Sequence, residues 1–313
     1  MRFQQTQARW MESVQQASDP RLLARLARLE LRARSAVEGF TGGKHSSPHR
    51  GSGTTFAEHR QYVPGDELRH VDWKLAARTD RFFVRRYEEE TALTGYLVLD
   101  LSASMGFHTL EWSKADYGRW LTASLARLLL IQNDRWGLAL CQGNTVTEWV
   151  PPQGGERHWH DSLSRLESIG VEGEGDPATA LSSAVSRMER RGLVIWVSDC
   201  LGTAENAAHA AALLRKAGHD LVVLRILDPA EVSFPYGRST RFEALEGEDV
   251  LLLDPRAVRQ AYLEEFSNHA AELRRGVRAL GADFRRLQTD EPLEVGFIEF
   301  LARRASRMRA LGR

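Results

Sequence analysis

Leu97-Val98-Leu99-Asp100-Leu101-Ser102-Ala103-Ser104-Met105 is the stretch on which the reading of this chain turns. An apolar run ends in a carboxylate, two serines follow at alternate positions, and a helical pattern begins near Ser113. In an open α/β sheet, ligands gather where strands end and the next helices begin. Asp100, Ser102 and Ser104 offer one anionic and two hydroxyl oxygens there, the hard donors that Mg²⁺ or Mn²⁺ prefers. The dipole of the following helix opposes a cation at that place, so the Asp100 charge must offset it. A plainer reading makes Ser102 and Ser104 caps of the helix.

Downstream the pattern alternates between strand and helix. A strand over 96–100 precedes a helix whose stripe is Tyr117, Trp120, Leu121, Leu125 and Leu128. Stretches 136–141 and 145–150 read as a strand pair turned at Gly143-Asn144. Helices are predicted over 157–169 and 177–190, the second opened by Pro177. A strand over 193–197 leads to Ser198-Asp199, and Thr203 caps a helix closed by Gly218. The run over 221–226 is nearly all apolar, as a strand covered on both faces requires. Residues 229–255 read as an insertion holding a hairpin, 241–245 with 250–253. A helix carrying Val258, Tyr262, Phe266, Leu273 and Val277 follows, then a strand over 282–287 and a helix opened by Pro292. The fold class is therefore α/β, a Rossmann-like, mostly parallel sheet flanked by helices.

Composition narrows the function classes. The chain has 313 residues, 42% hydrophobic and 27% charged, ordinary for a globular protein. Lys plus Arg and Asp plus Glu both number 42, so no net field draws it to nucleic acid or an anionic membrane. The two cysteines, Cys141 and Cys200, end apolar runs and read as small buried hydrophobes in a reducing compartment. No apolar run is long enough to span a bilayer, and the first residues have no secretory apolar core. The expected localisation is cytoplasmic, without membrane insertion.

Three units are expected. Residues 1–40 form a helical segment, started by Asp19-Pro20, striped by Leu22, Leu23, Leu26, Leu29 and Val37, and closed by Gly39. Residues 41–92 join a Gly/Ser/His-rich loop to a small β-containing segment packing on the larger domain. Its Gly-rich start lacks phosphate-loop order, and His45, His49, His59 and His70 match no zinc spacing. Residues 93–313 form the main domain.

Several stretches carry a resemblance. Asp100, Ser102 and Ser104 resemble the opening of the metal-ion-dependent adhesion site (MIDAS) of von Willebrand factor A domains. Arg60-x-Tyr62-x-Pro64-Gly65-Asp66-x-x-Arg69-x-x-Asp72-Trp73 with Arg78, the Asp100 run, and Leu227-Asp228-Pro229-x-Glu231 together resemble the DUF58 family, a domain of unknown function. The likeness covers roughly residues 35 to 310. It implies a von Willebrand A-like domain holding Mg²⁺ or Mn²⁺. In a full adhesion site, a Thr from a later loop and an Asp after a later strand complete the set. Asp199 matches the Asp. Asp176 is nearest to the Thr position, and Thr179 is the alternative. Members are often encoded beside MoxR-type AAA+ ATPases, so the resemblance implies an adaptor or co-chaperone linking such an ATPase to a client protein.

Three function classes follow. One is a non-enzymatic adaptor whose bound metal takes a carboxylate from the partner. Another is the same interaction domain without metal. The last is a metal-dependent hydrolase with His108 as base, although no nucleophile elbow or Cys/His pair accompanies it.

Overall fold

Six of the apolar runs assemble into one sheet. The computed structural model describes residues 29–30, 32–33, 55–62, 73, 75, 78, 82–88, 93–237, 240–243 and 250–293. The sheet contains β3 (Thr94–Asp100), β4 (Arg135–Gln142), β5 (Thr145–Gln153), β6 (Leu193–Ser198), β7 (Asp220–Leu227) and β10 (Asp283–Gln288). Their spatial order is β5-β4-β3-β6-β7-β10. All neighbours are parallel except β4 and β5, an antiparallel hairpin turned at Gly143, whose φ of +54° lies in the left-handed region. β5 is an edge strand, which is why it accommodates Pro151 and Pro152.

This is the doubly wound order, in which winding reverses beside the first strand. The reversal lies between β3 and β6, so the crevice at their carboxyl ends is the expected ligand position. The mostly parallel α/β sheet of the sequence reading is what the chain forms.

Side-chain alternation explains the two-sided burial of the strands. Leu97, Leu99, Ile195, Val197, Leu224 and Ile226 belong to one core. It is covered by α1 (Lys114–Ile131) through Tyr117, Leu121 and Leu125, and by α2 (Glu156–Ser168) through Trp159 and Leu163. Tyr96, Val98, Val194, Trp196, Leu221 and Val223 belong to the second core. There α3 (Pro177–Val185) and α4 (Ala204–Lys216) pack small alanines against them. Leu273 and Val277 of α6 (Pro255–Ala279) join that face. A five-residue helix, α5 (Pro229–Ser233), follows β7.

One predicted helix is shorter than expected. The 177–190 helix ends at Val185, and the chain folds back in tight turns from Arg187 and Met188. The Tyr96 hydroxyl captures this return, donating to the Arg190 carbonyl at 2.9 Å. The insertion forms the expected antiparallel hairpin, β8 (Thr240–Glu243) with β9 (Val250–Leu253). Both cysteines are buried free thiols, and burial pushes each well above its usual range.

The chain divides into Met1–Thr41 with Leu93–Arg313, and Gly42–Ala92. The smaller unit holds β1 (Thr55–Gln61) antiparallel to β2 (Phe83–Glu88), with a bulge between Phe56 and Glu58. Phe82 stands edge-on to Tyr62 and Trp73 there, and Arg78 is exposed. Pro64, Gly65, Asp66, Arg69, Asp72, the His-rich loop and the C-terminal helix lie outside the described residues, and only the backbone of Arg60 is described.

From the expected N-terminal stripe, Leu29 is buried with Ala33 in the first core. Large-to-small changes at such positions cost about 2–5 kcal/mol. Leu29→Ala is therefore expected to lower unfolding stability by about that amount in urea denaturation. A change within experimental scatter would mean that the stripe does not belong to this core.

Candidate functional site: the carboxyl edge of the sheet

Three neighbouring parallel strands each lead into a fully buried aspartate. Asp100 ends β3, Asp199 follows β6, and Asp228 follows β7. Buried carboxylates are costly unless they are paired or hydrogen-bonded. Each is satisfied differently.

Asp100 accepts hydrogen bonds from the Ser102 N–H at 2.9 Å and the Ser198 hydroxyl at 2.7 Å. The Ser102 and Ser104 hydroxyls lie 3.2 Å apart. Ser102 makes no side-chain cap, and residues 103–106 form a short 3₁₀ turn before the helix. The true cap of α1 is Ser113, in a reciprocal capping box with Asp116. The capping alternative for Ser102 and Ser104 therefore gives way to a buried pair of hydroxyls. Burial, followed by the nearby Asp199 charge, pushes the Asp100 carboxyl up to about 7.

Asp199 receives the ammonium of Lys114, with Nζ 2.8 Å from Oδ2, and the Leu201 N–H on Oδ1 at 3.2 Å. The same ammonium lies 2.8 Å from Oε1 of Glu231. Neither Lys114 nor Asp199 has any exposed side-chain surface. Burial pulls the Lys114 amine down, but Asp199 and Glu231 together outweigh it and hold the amine above its ordinary value. Burial also raises the Glu231 carboxyl, against the Lys114 charge that lowers it.

Asp228 caps α5. It accepts from Ala230 N–H, and from the N–H and hydroxyl of Thr109. Glu231 completes that capping box by accepting from the Asp228 N–H at 2.7 Å. The Asp228-Pro229-x-Glu231 stretch is thus a cap whose glutamate also reaches Lys114. Arg225, the one charged residue of β7 with a buried side chain, donates from Nε to the Asp199 carbonyl at 2.9 Å and lies over the Phe266 ring at 5.2 Å.

Asp100, Ser102, Ser104 and Asp199 are therefore brought to one place, as the sequence suggested. Asp176 and Thr179 are not part of that cluster. Asp176 caps α3 through Ala178 N–H and accepts from the Thr203 N–H and the Asn206 amide, both at 2.9 Å. It staples the start of α3 to the start of α4, and a Cβ on Gly202 would collide with its carboxylate. Thr179 is exposed on α3. His108 is an exposed loop residue whose Nδ1 lies 3.1 Å from the Gly106 carbonyl.

Sequence reasoning missed Lys114 and Arg225. The signal for Lys114 was present: it stands in register with Tyr117, Leu121 and Leu125 on the buried stripe of α1. A lysine in the first turn also runs against the helix dipole, so a local anion must hold it.

The residues fit a divalent ion only in part. Mg²⁺ bonds of about 2.1 Å put adjacent octahedral ligands about 3 Å apart, which the two serine hydroxyls match. Asp199, however, already holds an ammonium, and among the described residues the third-loop candidate Asp176 bonds Ala178, Thr203 and Asn206 instead. Among the described residues no three His, Cys, Asp or Glu side chains converge as a metal cluster. As it stands the donor set does not fit a hexacoordinate cation.

Comparison with known proteins gives three kinds of match. The model of a family described as a protein of unknown function, DUF58, matches residues 58–272. An uncharacterised protein of Mycobacterium tuberculosis is 30% identical over 293 residues, 91% of this chain and 90% of its own. Among solved structures, BatB from Bacteroides thetaiotaomicron aligns with a TM-score of 0.46 at 15% identity, over 69% of this chain and 100% of that one. The VWA domain of SpRpn10 aligns with a TM-score of 0.40 at 10% identity, over 65% and 93%.

The raised Asp100 carboxyl sets a pH dependence. Between the ordinary aspartate value of 3.8 and about 7, the folded state holds a proton that the unfolded state has released. Stability is therefore greatest at the acid end of this window and falls as pH rises towards 7. Asp100→Asn removes the titration. Relative to Asp100→Asn, wild type should lose stability steadily from pH 4 to pH 7 in urea titrations. Parallel curves would show that Asp100 ionises normally.

Proposed function

The chain belongs to the DUF58 family, and we propose that it is a non-enzymatic interaction protein, an adaptor or co-chaperone whose working face is the carboxyl edge of its von Willebrand A-like sheet. The observation that carries this reading is how the edge divides its groups. Asp100, Asp199 and Asp228 are buried and engaged by the chain itself, whereas Leu201, two residues from Asp199, is 47% exposed. A hydrolytic base must reach a water beside its substrate. Carboxylates spent on internal partners suit a different task, holding loops rigid beneath a docking surface.

The partner we propose is a MoxR-type AAA+ ATPase acting on a client protein, in the cytoplasm. The family resemblance supports this partner. Among the described residues no helix is long and apolar enough to cross a membrane. Of the two versions of the adaptor, with and without a divalent ion, the ion pairs of Lys114 favour the one without.

The test is direct binding to a purified MoxR-type ATPase, by titration calorimetry, for wild type and Leu201→Glu. Leu201 lies on the surface, so the substitution should leave the melting temperature unchanged. The expected result is at least tenfold weaker binding, about 1.4 kcal/mol. Equal affinity for both proteins would remove this edge from the interface, and no binding by wild type would remove the proposed partner.

A further inference from the structure

We propose that the Lys114 ammonium, held between Asp199 and Glu231, is the resident cation of this face, so that the site is complete without metal. Three observations carry the inference. The ammonium is fully buried and sits 2.8 Å from a carboxylate oxygen of Asp199 and 2.8 Å from one of Glu231. The second Asp199 oxygen is also taken, by the Leu201 N–H. The remaining donor that a metal would recruit from the third loop, Asp176, is consumed in joining two helix starts.

Charge and place then decide between lysine and metal. A divalent ion on Asp199 would have to displace the ammonium or lie against it, next to the positive end of α1. Displacement would leave Glu231 a largely buried carboxylate with its cation removed, a strongly destabilising arrangement. Lys114 is anchored at the first residue of α1, on the stripe that packs into the sheet. A tethered cation cannot dissociate, and it offers no vacant coordination position. A partner docking here therefore needs no metal-bridging carboxylate of its own. This inference concerns the isolated chain and stands or falls independently of the ATPase partner.

The experiment is thermal unfolding and Mn²⁺ titration calorimetry of the full chain, wild type and Lys114→Ala, in millimolar Mg²⁺, millimolar Mn²⁺ or EDTA. Wild type is expected to melt at the same temperature in all three and to bind no Mn²⁺. Lys114→Ala is expected to melt several degrees lower in EDTA and to regain part of that loss in Mn²⁺, because the freed carboxylates take the ion. Wild type that is stabilised by Mg²⁺ or Mn²⁺, with the effect lost in Asp100→Asn, overturns the proposal. So does a folded Lys114→Ala that ignores both metals, which would reduce Lys114 to an ion pair unrelated to a cation site. Should Lys114→Ala fail to fold, the wild-type titration alone decides: no Mn²⁺ binding supports the proposal, and binding overturns it.

Discussion

One buried ammonium joins the parts of this face. Lys114 starts α1, Asp199 follows β6, and Glu231 lies in α5 after β7. Removing one partner of a buried ion pair costs about 3–5 kcal/mol, because the other charge is stranded. The neighbouring contacts hang on this pair of bridges. Glu231 uses its second oxygen to hold the Asp228 N–H, and Asp228 holds Thr109 in the loop between β3 and α1. On the other side, Asp199 adjoins Ser198, whose hydroxyl supports Asp100. Lys114 thus joins the loops after β6 and β7, and the Ser198 hydroxyl ties β6 to the end of β3.

The parallel sheet makes such a link necessary. Parallel neighbours bring equivalent strand ends to one edge, and here the loops leaving β3, β6 and β7 each carry an aspartate. Three buried carboxylates side by side would repel one another. The structure meets this with different devices: helix-cap N–H groups for Asp228, hydroxyl and N–H donors for Asp100, and an ammonium for Asp199. The result is a polar layer under the loops, closed by the chain's own donors, with Leu201 outside it. The proposed docking role rests on that arrangement.

Much of the fold was legible from local pattern. Alternation and apolar runs gave the strands, and Pro177, Thr203 and Gly218 marked helix ends where they occur. Asp100, Ser102, Ser104 and Asp199 were legible because each follows an apolar run at a strand end. Lys114 was not, because a lone charge in a helical pattern reads as a solvated residue. Its partners are 85 and 117 positions away, and no local rule brings them together. Asp176 was ambiguous for a related reason. Asp before Pro is equally a ligand and a helix cap, and only the approach of Thr203 and Asn206 selects the cap. The 177–190 helix was drawn too long because the Tyr96 hydroxyl that holds the returning chain is distant in sequence.

The central claim is that a lysine, and not a metal, supplies the positive charge at the sheet edge. A crystal structure grown in Mn²⁺, with anomalous data collected for manganese, tests it most directly. The account predicts no manganese peak among Asp100, Ser102, Ser104 and Asp199, with the Lys114 ammonium within hydrogen-bond distance of Asp199 and Glu231. A manganese ion bound by those side chains, with the Lys114 ammonium turned away from Asp199, would contradict it.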